Sequence, residues 1–356
     1  MKKATPVLKH CLAAAAGLGL FSGSGSLLAA EDGVGVAGGI TVVGQALTDK
    51  KAATNDPANA ATLDDGIGIT YSFDLEFEKE MESGTAFVYL VGAEGNPVFD
   101  GANADGEGDF SQGKAAVAEA WYAHNFGDWV TFTLGKMDPV RIYDANEVAN
   151  GPTMQFLANG FVNNAAILFP AYTPGMNFSL HLGDVSDIHL GVFEEDVPET
   201  NVRIPGEMQH KFFIGEVDFN FGFFDQETNL RFTGWNSEHT SKAGFAVNLD
   251  QTMGDMFTLF SRFGFISGAK DAETASAFSI GGQLVFEEGH TIGVAYAADI
   301  PAGKTSATQS WFESYVSFQI AEETFLSLDA QFVANPGYDK KAKSLGILGV
   351  RAQANF

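Results

Sequence analysis

The chain has 356 residues, 20 basic and 45 acidic side chains, and a formal net charge of −25. That surplus of carboxylates excludes nucleic acid as a partner, because phosphate and carboxylate repel. The single cysteine, Cys11, falls in the N-terminal segment described next, so thiol catalysis, disulfides and cysteine-ligated metals are excluded from the rest of the chain.

Lys2, Lys3 and Lys9 precede an apolar run from Cys11 to Phe21 and a stretch of small residues ending at Ala29 and Ala30. This is the order of a secretory signal peptide, with cleavage expected after Ala30 even though Leu28 stands where a small side chain is preferred. The apolar run is shorter than the ~20 residues a membrane helix needs. Cys11 lacks the small and apolar neighbours of a lipoprotein signal, so it is not read as lipidated. The expected organisation is a signal peptide over 1–30 and one domain over 31–356. Only a few Gly- and Val-rich residues separate Ala30 from Ile40, so no plug domain is expected before the first strand.

From there the chain alternates. In "GIGITYSFDLEFEKE", Ile67, Ile69, Tyr71, Phe73, Leu75 and Phe77 occupy odd positions, while Gly68, Thr70, Ser72, Asp74, Glu76 and Glu78 occupy even ones. A period of two sends these sets to opposite faces of one strand. The dyad recurs in "MNFSLHLG", "HKFFIGEVDFNF", "NLRFTGW", "AFSIGGQLVF", "TIGVAYA", "TFLSLDAQF" and "LGILGVRAQANF". Strands are expected to begin near residues 38, 66, 85, 115, 129, 176, 188, 210, 228, 242, 255, 277, 291, 309, 323 and 344. Their connections alternate in length: 48–65, 94–114 and 138–175 are long, while those near Glu80–Gly84, Gly127–Asp128 and Gly183–Asp187 are short. An all-β, transmembrane antiparallel β-barrel of about 16 strands has this organisation, with both termini on the short-turn side.

A soluble β-sandwich alternates too. Against it stand the Phe-, Leu-, Ile- and Val-rich faces opposite polar ones, strands of about ten residues rather than the usual ~5–6, and the C-terminus. Phe356 is preceded at two-residue steps by Ala354, Ala352, Val350 and Leu348, a pattern that resembles the signal read by the outer-membrane barrel assembly machinery.

One stretch, "LGKMDPVRIYDANEVANGPTMQFLANGFVNN", breaks the alternation inside the third and longest connection. It resembles the signature of the carbohydrate-selective porins of the OprB type, in which a strand ending in Leu-Gly-Lys leads into Asp-Pro, Asp-x-Asn, Ala-Asn and Gln-Phe-Leu elements and a Phe-x-Asn-Asn run. The matching positions are Gly135, Lys136, Asp138, Asp144, Asn146, Ala149, Asn150, Gln155, Phe156, Leu157, Phe161, Asn163 and Asn164. The end of the chain is similar too, through the Asn335-Pro336-Gly337 loop and the Gly349, Arg351 and Phe356 of the last strand. Gly151 and Pro152 depart from the pattern, standing where acidic residues are expected, which leaves the substrate open.

The resemblance implies a Gram-negative outer-membrane porin whose third loop folds into the lumen. Small hydrophilic solutes, carbohydrates first, are expected to pass passively, without cofactor or bound metal. It makes Asp138, Arg141, Asp144, Asn146, Glu147 and Asn150 candidates for the pore constriction; the alternative for each is that it satisfies loop backbone groups. Trimerisation, common among general porins, is not assigned by these residues.

The polar register is expected to line the lumen: Asp74, Glu76, Glu216, Asp218, Arg231, Trp235, Arg262, Trp311, Glu313, Tyr315, Asp329, Gln331, Arg351 and Gln353. Carboxylates, guanidinium groups and an aromatic platform together suit the hydroxyls and apolar face of a sugar. For Trp235 and Trp311 the alternative is anchoring at lipid headgroups. Acidic residues outnumber basic ones in this set, so the other reading is a general, cation-preferring porin without sugar selectivity.

Other chemistries have weaker signals. "DGANADGEGD", 100–109, lacks the first and twelfth ligands of a calcium loop and reads as an acidic surface loop. Ser179 and His181 share a face but lie on one strand, and no "GxSxG" occurs, so an enzyme is not expected. A purely structural or adhesive barrel would need a plugged lumen.

Overall fold

The computed structural model describes residues 28–29, 33–49, 66–99, 101–103, 115–197, 208–223, 226–286 and 289–356. Apart from Leu28 and Ala29, which pair with Val36 and Gly35, the expected signal peptide lies outside the described residues, as does most of the 100–109 segment.

Sixteen longer strands follow in chain order. They are β1 (Val34–Leu47), β2 (Ile67–Met81), β3 (Gly84–Asn96), β4 (Ala116–Asn125), β5 (Val130–Met137), β6 (Thr173–His181), β7 (Ser186–Glu194) and β8 (Lys211–Phe223). The second half comprises β9 (Gln226–Ser237), β10 (Lys242–Met253), β11 (Phe257–Ser267), β12 (Thr274–Val285), β13 (Thr291–Pro301), β14 (Gln309–Ala321), β15 (Thr324–Ala334) and β16 (Leu345–Asn355). Each pairs antiparallel with its neighbours in sequence, and β16 pairs with β1 from Ile347↔Leu47 to Asn355↔Gly39, closing the ring. Closure leaves no edge, so every strand has a ladder partner on both sides, the condition for a sheet to stand in hydrocarbon.

The period-two reading places both faces. Ile69 is 60% exposed on the outside, while its neighbour Thr70 is 2% exposed on the inside. The same outward register carries Phe232, Phe263, Phe312, Leu328 and Phe332. The first strand begins at Val34 rather than near 38, and the sixth and twelfth begin at Thr173 and Thr274 rather than near 176 and 277. The expected long-short alternation breaks at 238–241, which closes as a tight turn at the long-loop end with Ser241 at φ 57°.

The interior is not empty. Segment 138–172 leaves the end of β5 and turns inward. Gly135 permits this departure: its φ is +151°, and a Cβ there would lie 2.3 Å from the Ala120 carbonyl oxygen. A turn of 3₁₀ helix at Pro139–Arg141 follows, started by Asp138, whose carboxylate accepts from the Val140 amide at 3.1 Å. Val148, Phe156, Ala158 and Phe161 from this segment pack with inward side chains of distant strands, among them Phe260, Trp311, Tyr315, Val333 and Ile347. The hydrophobic core of this protein therefore lies within the barrel, along part of its inner wall. Such burial orders a loop that would otherwise stay mobile.

Candidate functional site

Three guanidinium groups and four wall carboxylates fix the path of the inner segment. At its start, Arg141 donates to Glu119 through Nη2 at 2.8 Å and Nε at 3.0 Å, reaches Glu76 at 3.4 Å, and lies over the Phe87 ring at 4.5 Å. Burial pulls its pKa down, but Glu119 and Glu76 outweigh that, so the net direction is up and Arg141 stays charged. Further along, Asp144 adopts φ 57°, a left-handed conformation that Asp tolerates, and its amide donates to Glu216 of β8 at 3.0 Å. Arg262 of β11 then gathers the fold of the loop. It meets the Asp144 carboxylate at 3.1 Å and donates to the carbonyls of Ala149 at 2.7 Å and Phe161 at 2.6 Å, and to the Asn150 side chain at 2.7 Å.

The middle of the segment is held by the opposite wall. Glu313 of β14 accepts from the amides of Leu157 at 2.6 Å and Ala158 at 2.9 Å. Arg351 of β16 donates to the carbonyls of Pro152 and Gln155, both at 2.7 Å. Loop amides thus meet a carboxylate and loop carbonyls meet guanidinium groups, a pairing of charged with neutral partners that is stronger than neutral bonding.

This geometry sorts the candidate constriction residues. Asp144, Asn146 and Asn150 are buried: Asn146 bonds Asn248 of β10 at 2.8 Å, and Asn150 bonds Arg262. Asp138 and Arg141 are half-buried at the root of the loop. Glu147 is exposed within an otherwise buried run from Tyr143 to Asn150, so its carboxylate faces the open part of the lumen. Burial by the surrounding wall raises its pKa, and Asp250 and Glu227 raise it further.

All the lumen candidates stand on the inner face, but only part of that face is open. Asp74, Glu76 and Asp218 are half-buried, whereas Glu216, Arg231, Trp235, Arg262, Trp311, Glu313, Tyr315, Asp329, Gln331, Arg351 and Gln353 are covered. Trp235 donates its indole N–H to the Ala166 carbonyl at 2.9 Å and Trp311 packs against Phe99, which sets both away from the headgroup position. Arg231 pairs with Asp250. Among the described residues, therefore, the inward arginines all meet carboxylates or loop carbonyls, while Glu147 and Glu227 reach water.

Sequence reasoning did not single out Glu119, Asn248 and Asp250, which hold Arg141, Asn146 and Arg231, although each lies in the polar register of its strand. It also did not anticipate that residues 97–99 and 101–103 of the second long connection fold inward. There the Ala102 carbonyl accepts from Gln45 and Gln331, both at 2.9 Å, and the Gly101 carbonyl accepts from the Asn159 amide at 3.0 Å. The buried Val98 and Phe99 are the signal that marks this piece.

Ser179 meets a histidine across strands rather than on its own: its hydroxyl lies 2.8 Å from His189 Nδ1 of β7, and His189 Nε2 lies 3.6 Å from Asp218 of β8. Strand amides point along the sheet, so no pair of N–H groups faces Ser179 to stabilise an oxyanion. Among the described residues no group of His, Cys, Asp and Glu is placed to hold a metal ion.

No family model matches the chain. A protein of Aquifex aeolicus (strain VF5), described as uncharacterized, is 23% identical over 199 residues, which span 56% of this chain and 58% of that relative's length. The fold has close solved counterparts. The high-pH structure of Pseudomonas putida OprB superposes with a TM-score of 0.77 at 10% identity, over 92% of this chain and 95% of the other. The outer membrane channel DcaP of Acinetobacter baumannii gives 0.59 at 12% identity, over 92% and 99%. A mutant of the Rh. blastica porin gives 0.58 at 14% identity, over 91% and 100%. The chain therefore has the fold of the porins.

Proposed function

We propose that this protein is an outer-membrane porin through which small hydrophilic solutes, carbohydrates foremost, diffuse down their gradients. The observation that carries the reading is the internal path of 138–172, tied by Arg262, Glu313 and Arg351 across a closed ring whose outer face is apolar. Such a segment narrows a sixteen-stranded channel without closing it by a separate domain. Residues 1–30 serve as the signal peptide, 31–356 form the barrel in contact with outer-membrane lipids, and Phe356 is offered to the assembly machinery. Its backbone pairs with Gly38 through two bonds of 2.9 Å, so the terminal residue continues the seam of the barrel.

The sugar reading draws on the sequence motif, whose Asp144, Asn146, Asn150 and Gln155 build the loop. The second reading, a general cation-preferring porin, draws on charge: the solvated groups near the passage are Glu147 and Glu227, while the guanidinium groups are occupied. Planar-bilayer recording tests both. Step conductance with concentration-dependent block by sugars, weakened in Glu147→Ala, is the expected result. Cation-preferring current that no sugar perturbs leaves the general porin. Absence of conductance from a correctly folded barrel overturns the channel reading altogether.

A further inference from the structure

The outer wall carries a groove that the channel reading does not use. Across β5 to β11 one row of outward residues runs Phe132, Phe178, Leu190, then Gly215 and Gly234 side by side, then Phe245 and Phe265. Two adjacent strands thus lack a side chain where every neighbour in the row has a large apolar one. The result is an apolar depression of about 610 Å³, bounded above by Phe213 and Asn236.

Backbone geometry does not explain these glycines. Neither has a positive φ, an added Cβ at 234 would meet nothing within 4 Å, and one at 215 would meet the end of the flexible Leu190 at 3.2 Å and the His189 carbonyl oxygen at an ordinary 3.7 Å. Glycine in a strand interior weakens the strand. What both positions share is the space they leave.

The rim supplies polarity on one side only. One rung toward the long-loop end stands the exposed Asn236, and two rungs up stand Lys211 and Glu238, whose charged atoms are 3.7 Å apart and half in water. On a barrel with long loops outside, this places the groove in the outer leaflet with an amide and a solvated lysine–glutamate pair at headgroup depth.

We infer that the groove holds one acyl chain of a phosphorylated, acylated glycolipid of the outer leaflet. The chain lies over Gly215 and Gly234, a sugar hydroxyl meets Asn236, and a phosphate displaces the Glu238 carboxylate from Lys211. This rests on the outer-membrane reading, because only there is the groove faced by lipid. It adds a binding site on the outside of the wall, independent of the passage.

Native mass spectrometry of the detergent-purified protein with added lipid A tests it. The expected result is one lipid A per barrel, lost in Gly234→Leu, and weakened both in Lys211→Ala and when monophosphoryl lipid A replaces the diphosphorylated form. Bilayer conductance of Gly234→Leu, expected to match wild type, shows that the barrel is folded. An adduct unchanged in Gly234→Leu, or no adduct in conducting wild-type protein, overturns the inference. So does wild-type self-association that Gly234→Leu abolishes, which would give the groove to a second copy of the chain. Loss of conductance in wild type bears on the channel reading alone.

Discussion

Arg262 and Glu147 show how side chains of the same region divide their work. Arg262 is buried and joins an aspartate, two carbonyls and an asparagine of the inner segment. Removing it in Arg262→Ala leaves the buried Asp144 carboxylate without its cation, held only by the Asn164 amide and the Asn248 side chain, and breaking a buried pair from one side costs about 3–5 kcal/mol. The expected outcome is a lowered denaturant midpoint for the refolded barrel, together with larger, noisier unitary currents as the inner segment loosens. Glu147 is fixed by its neighbours' packing and contributes field rather than structure. A unit charge acting at about 4 Å in water-like surroundings is worth about 1 kcal/mol, a factor of about five in local cation concentration. Glu147→Gln is therefore expected to lower the reversal potential measured in a salt gradient while leaving the denaturant midpoint unchanged. Acid should mimic that substitution. Because its carboxyl binds a proton at higher pH than an ordinary glutamate, falling pH neutralises it before surface carboxylates, so cation preference should decline early on acidification and Glu147→Gln should flatten that decline.

At the level of elements, the inner segment is a strap fastened at its root and at its middle. Glu313 receives two backbone amides from it, and a buried amide left without an acceptor costs about 1–3 kcal/mol. Glu313→Ala should free residues near Leu157 and Ala158, read as new proteolytic nicking in folded protein; Glu313→Gln, which keeps one acceptor oxygen, should be nicked more slowly. The strands were legible from sequence because each face obeys one rule, so Ile69 and Thr70 could be placed without knowing their neighbours. The strap was legible as an interruption, and its motif marked the residues that shape it. Its partners were not, because Arg262, Glu313 and Arg351 lie far from it in sequence and their polar register says only "inside". Whether an inside position is wet or covered depends on where the loop lies, which alternation does not encode. The inward placement of 97–99 and 101–103 was hidden for the same reason, being set by long-range bonds to Gln45 and Gln331.

The whole molecule inverts the arrangement of a soluble domain, with its packed apolar clusters enclosed by the sheet and a second apolar surface facing outward. The two faces should then respond oppositely to the same substitution. Arginine at Leu328 or Phe263, both in mid-strand on the outer face, is expected to cost about 2–4 kcal/mol in a bilayer. Arginine at Glu227, exposed on the inner face, meets water and a carboxylate-rich wall instead of hydrocarbon. Glu227→Arg should therefore fold at wild-type stability while shifting ion preference toward anions. Denaturant titration in lipid vesicles, paired with reversal potentials on the same preparations, separates these outcomes. A soluble sheet packed on one face would not give that division, because its outer residues would accept arginine at little cost. Equal tolerance at Leu328 and Glu227 would thus contradict the membrane placement itself, whereas stability loss confined to the outer face would locate the hydrocarbon independently of any transport assay.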